Sequence, residues 1–248
     1  MKKNSFIVNN FLEDGFNLKS HLIEFLPIEP QHLNRLLDSA KNELANLHPG
    51  DNSLNCEDFY KEIVGDKHLA ELAAWHISSK EYIAETLRLQ EIFANNIVLD
   101  FGGGIGTHAL ANAMADNVDH VFFVDINETN RKFVEFRAKK LGLEKKLSFH
   151  QSIQETGISK FDTIICLDVL EHLSEPSIQL NIFYEIMKVN SVALFNWYFY
   201  KGDNNEYPFH IDDEKIINLF FTTLQSKFLE IFHPIIVTTR AYKKVEVI

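Results

Sequence analysis

Residues 97–107 read Ile97-Val98-Leu99-Asp100-Phe101-Gly102-Gly103-Gly104-Ile105-Gly106-Thr107. A short apolar run ending in turn residues is the signature of a buried parallel strand. Glycine lacks a Cβ, so the chain can turn sharply behind such a strand and a ligand can approach its backbone. Ala109 to Ala115 then reads as a helix. A strand, a glycine-rich turn and a helix N-terminus make a nucleotide site at the carboxyl edge of an α/β sheet. The spacing is Asp-x-Gly-x-Gly-x-Gly. A dinucleotide fingerprint, Gly-x-Gly-x-x-Gly, would place its third glycine where Thr107 stands.

Downstream of this turn, strand and helix patterns alternate. Strands are expected at Ile97–Phe101, His120–Val124, Leu147–His150, Phe161–Leu167 and Ser191–Trp197, with closing strands in Phe228–His233 and Ile235–Lys243. Arg131–Leu141 and Ile178–Met187 read as helices. Such alternation predicts a mostly parallel sheet with helices on both faces. Upstream, to about residue 94, the pattern is helical. Pro30 can open a helix that carries Leu33, Leu36, Leu37, Ala40, Leu44 and Leu47 at helical spacing and ends at Pro49-Gly50. Asn55 with Asp58 could cap a short second helix. Leu69, Leu72, Ala73 and His76 mark a third. Ser78 with Glu81 reads as a capping box for a fourth, which carries Ile83, Leu87 and Phe93.

The bulk numbers set limits. The 248 residues suffice for one domain with an appendage. With 24 basic and 35 acidic residues the net charge is −11, which argues against nucleic acid or an anionic membrane as partner. The two cysteines, Cys56 and Cys166, form no Cys-x-x-Cys pair, so neither a disulfide framework nor a thiolate metal site is expected. Cys166, in an apolar strand, reads as core. Asn9, Asn10, Glu13 and Asp14 interrupt any signal-peptide stretch, and no run reaches transmembrane length. A cytoplasmic location is the simplest expectation.

The acids at strand ends carry the chemistry. Asp125 closes the second strand, where a carboxylate can accept both hydroxyls of a ribose; Ile126 beside it could pack on adenine. After the third strand come Gln151 and Ser152. The fourth segment runs Phe161-Asp162-Thr163-Ile164-Ile165-Cys166-Leu167-Asp168-Val169-Leu170-Glu171-His172-Leu173.

Together these segments resemble the class I S-adenosylmethionine-dependent methyltransferases. The Phe161–Leu173 segment is similar to that of their small-molecule, ubiquinone-biosynthesis-like members. The resemblance implies a Rossmann-like sheet of seven strands, the last antiparallel, over 95–248. Residues 1–94 would form an N-terminal helical cap of the kind that often covers the acceptor. It implies S-adenosylmethionine as donor and S-adenosylhomocysteine as product. Asp100, the backbone of Gly102 and Gly104, and the Leu167 carbonyl beside Asp168 would hold the methionine part, and Asp125 and Ile126 the nucleoside. Gly106 would permit close helix packing. Gln151 or Ser152 would meet the adenine amino group, at a position where the family usually has an acid. A Leu-Lys-Pro-Gly-Gly turn of the family stands here as Met187-Lys188-Val189-Asn190-Ser191.

Methyl transfer is an in-line displacement that positioning alone can accelerate. A base is needed only when the nucleophile carries a tightly held proton. His172, next to Glu171, and His210, in Tyr207-Pro208-Phe209-His210, are the candidates. Glu171 and His172 could hold a metal with another carboxylate, as in some quinol O-methyltransferases; two adjacent ligands do not make a site, and no metal is assigned. Tyr198 and its aromatic neighbours Trp197, Phe199 and Tyr200 could sandwich a flat or cationic acceptor. In the cap, Tyr60, Trp75, His76 and Tyr82 are further pocket candidates, with an equal claim to core packing. The acceptor is expected to be a small molecule or a peptide end, methylated on O, N or C. A homodimer through the amphipathic cap is one arrangement the sequence allows. An NAD(P)-dependent oxidoreductase and a non-catalytic S-adenosylmethionine-binding protein are the alternatives.

Overall fold

A computed structural model describes residues 5–47, 58–203 and 207–245. Seven strands form one sheet: β1 (Asn96–Phe101), β2 (Val118–Val124), β3 (Leu147–His150), β4 (Phe161–Cys166), β5 (Met187–Phe195), β6 (Phe228–Phe232) and β7 (Arg240–Lys244), in the order β3-β2-β1-β4-β5-β7-β6. The pairings from β3 through β5 are parallel, and β7 runs antiparallel to both β5 and β6. This is the expected Rossmann-like arrangement. The order reverses between β1 and β4, and the crevice at the carboxyl ends of those two strands is where ligands enter such sheets.

Alternation along the strands sends side chains to two cores. On one face Val98, Val121, Phe123, Ile165 and Leu194 pack against helices α5 (Lys80–Phe93), α6 (Thr107–Met114) and α7 (Glu128–Leu141). On the other, Leu99, Ile164, Ala193 and Phe195 meet α8 (Pro176–Ile186) and α9 (Glu214–Lys227). Cys166 is fully buried in this second core, as expected.

The N-terminal segment supplies α1 (Phe6–Asp14), α2 (Leu18–Phe25), α3 (Pro30–Leu47), a π-helical turn Phe59–Ile63 and α4 (Gly65–Ser78). Its own core, Leu18, Leu22, Leu33, Leu69 and Ala73, closes onto Ile105 of the glycine turn and Phe133 of α7. Arg137, fully buried, joins the same parts. Its Nη1 donates to the Ile105 carbonyl at 2.7 Å and its Nη2 to the Gly15 carbonyl at 2.8 Å. Burial pushes this guanidinium down to about 9.

Three local expectations are corrected. The junction between α4 and α5 falls at Ser79, which makes no side-chain cap; Ser78 lies inside α4, its hydroxyl donating to the Trp75 carbonyl. The cap expected from Asn55 with Asp58 rests on Asn55, which lies outside the described residues together with Pro49, Gly50 and Cys56. Helix α8 stops at Ile186, and β5 begins at Met187, which pairs with Phe161. The register then jumps, so that Thr163 faces Val192. The altered turn thus survives as a bulge, with Asn190 in the left-handed region and the Ser191 hydroxyl donating to the Lys188 carbonyl. Finally, residues 235–239 form a turn rather than strand: the Val237 N–H donates to the carbonyl of Pro234, and β7 starts at Arg240.

Candidate active site

The sheet's carboxyl edge opens into a cavity of about 1270 Å³. Its floor comes from the loops after β1, β2, β3 and β4, its roof from the cap. The donor and catalytic candidates from the sequence line it: Asp100, Gly102, Gly104, Asp125, Ile126, Gln151, Ser152, Leu167, Asp168, His172 and His210; of the aromatic candidates Trp197 and Tyr198 line it, whereas Phe199, packed on Phe220, and Tyr200 do not. The cap candidates Tyr60, Trp75, His76 and Tyr82 line it too.

Parallel pairing brings the key loops together. Phe101 pairs with Cys166, so the turn after β1 and the Leu167-Asp168 corner after β4 emerge side by side. The Gly102 N–H donates to the Val124 carbonyl, and the Asp125 N–H to the His150 carbonyl, extending the ladder by one step at each strand end. Gly102, Gly104 and Gly106 all have positive φ, at +70°, +55° and +76°, a region that only glycine enters without strain. A Cβ on Gly102 would lie 2.4 Å from Val169, and one on Gly104 2.9 Å from Leu72 of α4. The missing side chains at both positions therefore make room for protein, including the cap, while the backbone faces the cavity. Gly106 behaves as expected: a Cβ there would meet Val134 of α7 at 2.4 Å. Gly103 is also required, since its Cβ would strike Phe123, and the sequence pattern gave it no special weight.

Asp125 is buried and already holds several partners. Its Oδ2 accepts from the Gly104 N–H at 2.9 Å, its Oδ1 from the Asn127 N–H at 2.8 Å, and Asn130 Nδ2 reaches both oxygens at 3.3 Å. Burial raises its pKa to about 6. Asn127 and Asn130 tie this carboxylate to the cap: Asn127 Nδ2 donates to the Tyr60 carbonyl at 2.8 Å, and Asn130 lies 3.3 Å from His68 Nδ1. Neither asparagine stood out in the sequence beyond its place at a helix start.

Asp100 is 2% exposed, and its Oδ2 has no hydrogen-bond partner. Burial and the nearby Asp125 push its pKa up to about 7. A buried carboxylate oxygen without a partner, on a cavity wall, fits a cationic ligand group. Asp168 sits in the left-handed region at φ 54°. Asn196, at the end of β5, holds it there: Oδ1 accepts from the Asp168 N–H at 2.5 Å, and Nδ2 donates to Asp168 Oδ1 at 2.7 Å. Asp168 is open to the cavity but walled by protein, and that enclosure raises its pKa to about 6. The sequence hint to Asn196 was a polar residue in an apolar run, Leu194-Phe195-Asn196-Trp197. Gln151 is exposed at the rim and Ser152 half-buried.

The far wall is aromatic. Phe59 packs at a tilt on Phe209, 4.4 Å between ring centres, and Tyr60 approaches His172 at 5.5 Å. The His172 and His210 rings are 4.7 Å apart. Burial, with His210 and His68 adding to it, drives His172 down to about 3, so it is neutral at physiological pH. His210 is buried, and burial lowers its pKa as well; its Nδ1 donates to the Tyr200 carbonyl at 3.0 Å. Glu171 is 1% exposed, and burial followed by Asp168 raises its pKa to about 8. In the sequence Glu171 is adjacent only to His172, and no local spacing links it to His210.

The profile of a family described as "Methyltransferase domain" matches residues 74–215. The chain belongs to this family and is a class I S-adenosylmethionine-dependent methyltransferase. Solved structures share the fold. An O-methyltransferase family protein from Burkholderia thailandensis is 12% identical at a TM-score of 0.57, over 86% of this chain and 70% of that one. Geranyl diphosphate C-methyltransferase from Streptomyces coelicolor A3(2), solved with Mg2+, geranyl-S-thiolodiphosphate and S-adenosyl-L-homocysteine, is 12% identical at 0.52, over 78% and 76%. A putative rRNA-methylase from Clostridium thermocellum is 15% identical at 0.52, over 66% and 96%. No curated protein sequence matches the chain. Neither the oxidoreductase nor the non-catalytic alternative finds support in these comparisons. Among the described residues no helix is long and apolar enough to cross a membrane.

Proposed function

We propose that this methyltransferase acts on a small molecule, or on a peptide end, enclosed between the sheet edge and the helical cap. One observation carries the reading: a single cavity contains both the nucleoside-type acids of the sheet edge and an aromatic, histidine-bearing wall. S-adenosylmethionine, when bound, supplies a methyl group already activated on a sulfonium. Asp125 accepts the ribose hydroxyls in place of the weakly held Asn130 amide. Ile126 packs against adenine, with Ser152 or Gln151 near its amino group. Asp100 meets the methionine ammonium, and the Gly102, Gly104 and Leu167 backbone lines the amino-acid part. His172 and His210 face the acceptor heteroatom, and Tyr60, Trp197, Tyr198 and Phe209 hold the acceptor in line and exclude water. The charge of −11 favours such an acceptor over nucleic acid.

Calorimetric titration with S-adenosylmethionine, S-adenosylhomocysteine and NAD tests the donor. Saturable binding of the first two and none of NAD is expected; the reverse result would overturn the assignment of these residues. A labelled-methyl screen of small-molecule and macromolecular fractions then tests the acceptor class, and label confined to nucleic acid or to internal protein sites would refute it.

A further inference from the structure

Glu171, His172 and His210 meet at the acceptor end of the cavity, each offering one ligand-capable atom within 4.8 Å of the other two. Glu171 and His172 lie in the helical turn Leu170–His172 just after β4, and His210 in the loop before α9. The Ile211 N–H donates to the Glu171 carbonyl at 2.9 Å and pins the two segments together.

Two buried atoms of this group lack partners: Glu171 Oε2, on a side chain 1% exposed, and His172 Nδ1. Unmet polar atoms of this kind are costly, on the order of 1–3 kcal/mol each, and two of them in adjacent residues of one ligand-capable cluster point to a missing partner. The histidines are also braced as metal ligands usually are, with one ring nitrogen committed to a backbone carbonyl. His210 Nδ1 donates to the Tyr200 carbonyl at 3.0 Å, and the His172 ring donates to the Phe209 backbone.

We propose that Glu171, His172 and His210 bind a divalent transition-metal ion that holds an oxygen of the methyl acceptor. Two imidazoles and one carboxylate suit Zn2+, Mn2+, Fe2+ or Co2+ better than Mg2+, which prefers oxygen ligands and bound water. Bonds of about 2.0–2.2 Å place ligand atoms roughly 3–4 Å apart, so side-chain rotations of an ångström or less close the set. Three protein ligands leave coordination positions for the acceptor. A hydroxyl bound there gives up its proton to solvent more readily, so no side chain need remove it. The acceptor role rests on the methyl-transfer reading above; binding of the ion does not.

The test uses the full chain after chelator treatment. Co2+ is titrated and followed by its visible absorption, and S-adenosylmethionine affinity is measured calorimetrically on the same samples. One saturable equivalent of Co2+ is expected, weakened at least tenfold in Glu171→Gln and in His210→Ala, with the donor still bound. Absence of a Co2+ spectrum in the wild-type chain, or unchanged Co2+ affinity in both variants, overturns the metal site and leaves the donor assignment standing. Intact Co2+ binding without donor binding would instead overturn the donor reading.

Discussion

Asn196 and Asp168 form a closed pair across the ends of β5 and β4: the amide oxygen of Asn196 accepts from the Asp168 backbone N–H while its nitrogen donates to the Asp168 carboxylate. The pair holds Asp168 in a left-handed conformation that a non-glycine residue leaves when unsupported. Asn196→Ala should therefore disturb the Leu167-Asp168 corner. Donor affinity is expected to fall about tenfold, the scale of one buried hydrogen-bonded pair, with the fold retained. Calorimetry with S-adenosylmethionine checks this; unchanged affinity would remove Asn196 from the site.

Asp100 couples binding to pH. Its pKa is raised to about 7 by burial and by Asp125, itself raised to about 6 by burial. A cationic donor group favours the ionised forms, so affinity should weaken as pH drops from 7.5 to 5.5, by up to about tenfold per unit below each pKa. Asp100→Asn should flatten the profile between pH 6 and 7.5. A profile of the same slope in the variant would exclude Asp100 as the titrating group.

The same shift has a stability sign. A carboxyl whose folded pKa lies above its unfolded value favours folding fully below the unfolded value, near 4, and loses that contribution as pH rises through about 7. Asp100→Asn should thus stabilise the ligand-free protein at pH 8 by about 1–3 kcal/mol and hardly at all at pH 4. Thermal unfolding at the two pH values reads this out.

Gly106 and Gly142 make a controlled comparison. Both have φ near +70°, but a Cβ on Gly106 would collide with Val134, whereas Gly142 has nothing within 4 Å. Gly142→Ala should cost only the backbone term of about 1 kcal/mol. Gly106→Ala adds overpacking of about 1–3 kcal/mol. Equal losses in denaturant unfolding would contradict the packing role of Gly106.

Asp125→Ala should weaken donor binding by about 1–3 kcal/mol and also loosen the glycine turn, because Gly104 N–H loses its acceptor. Donor titration and thermal unfolding together separate the two effects. Full affinity in the variant would end the ribose assignment.

Strand ends and glycines made the sheet edge legible from sequence. Apolar runs mark β1, β2 and β4 directly, and an acid at a strand end has one place to go in a parallel sheet. The strand-end acids with Gly102 and Gly104 reach one cavity, and the separately chosen His172 and His210 line it as well. What stayed hidden depends on long-range meeting. His210 joins Glu171 only because Ile211 hydrogen-bonds across some forty residues of chain, and no local spacing encodes that. Asn130 acts through Asp125 and His68, partners on separate elements. At the β5 bulge the turn chemistry lacks its usual proline and glycines, so the apolar pattern alone places the strand start at Ser191, four residues after its true start at Met187. Helix α1 begins with a Ser5 cap on Val8, a signal weak beside the polar Asn9 and Asn10 that follow.

Arg137→Met should destabilise the protein by about 2–4 kcal/mol, since the carbonyls of Gly15, Phe16 and Ile105 would lose their buried donor. Donor affinity should fall with it, because Ile105 belongs to the glycine turn. Chemical denaturation and calorimetry measure both; a variant as stable as the parent would show that the guanidinium is dispensable.

That buried arginine makes the first ninety residues and the sheet interdependent in descent as well as in folding. Helices tied through Arg137 to the carbonyl of the glycine turn cannot be exchanged freely for another set, as a detachable specificity module could be. New acceptors would have to be won by altering side chains such as Tyr60 or Trp75 in place, leaving the frame that carries them intact.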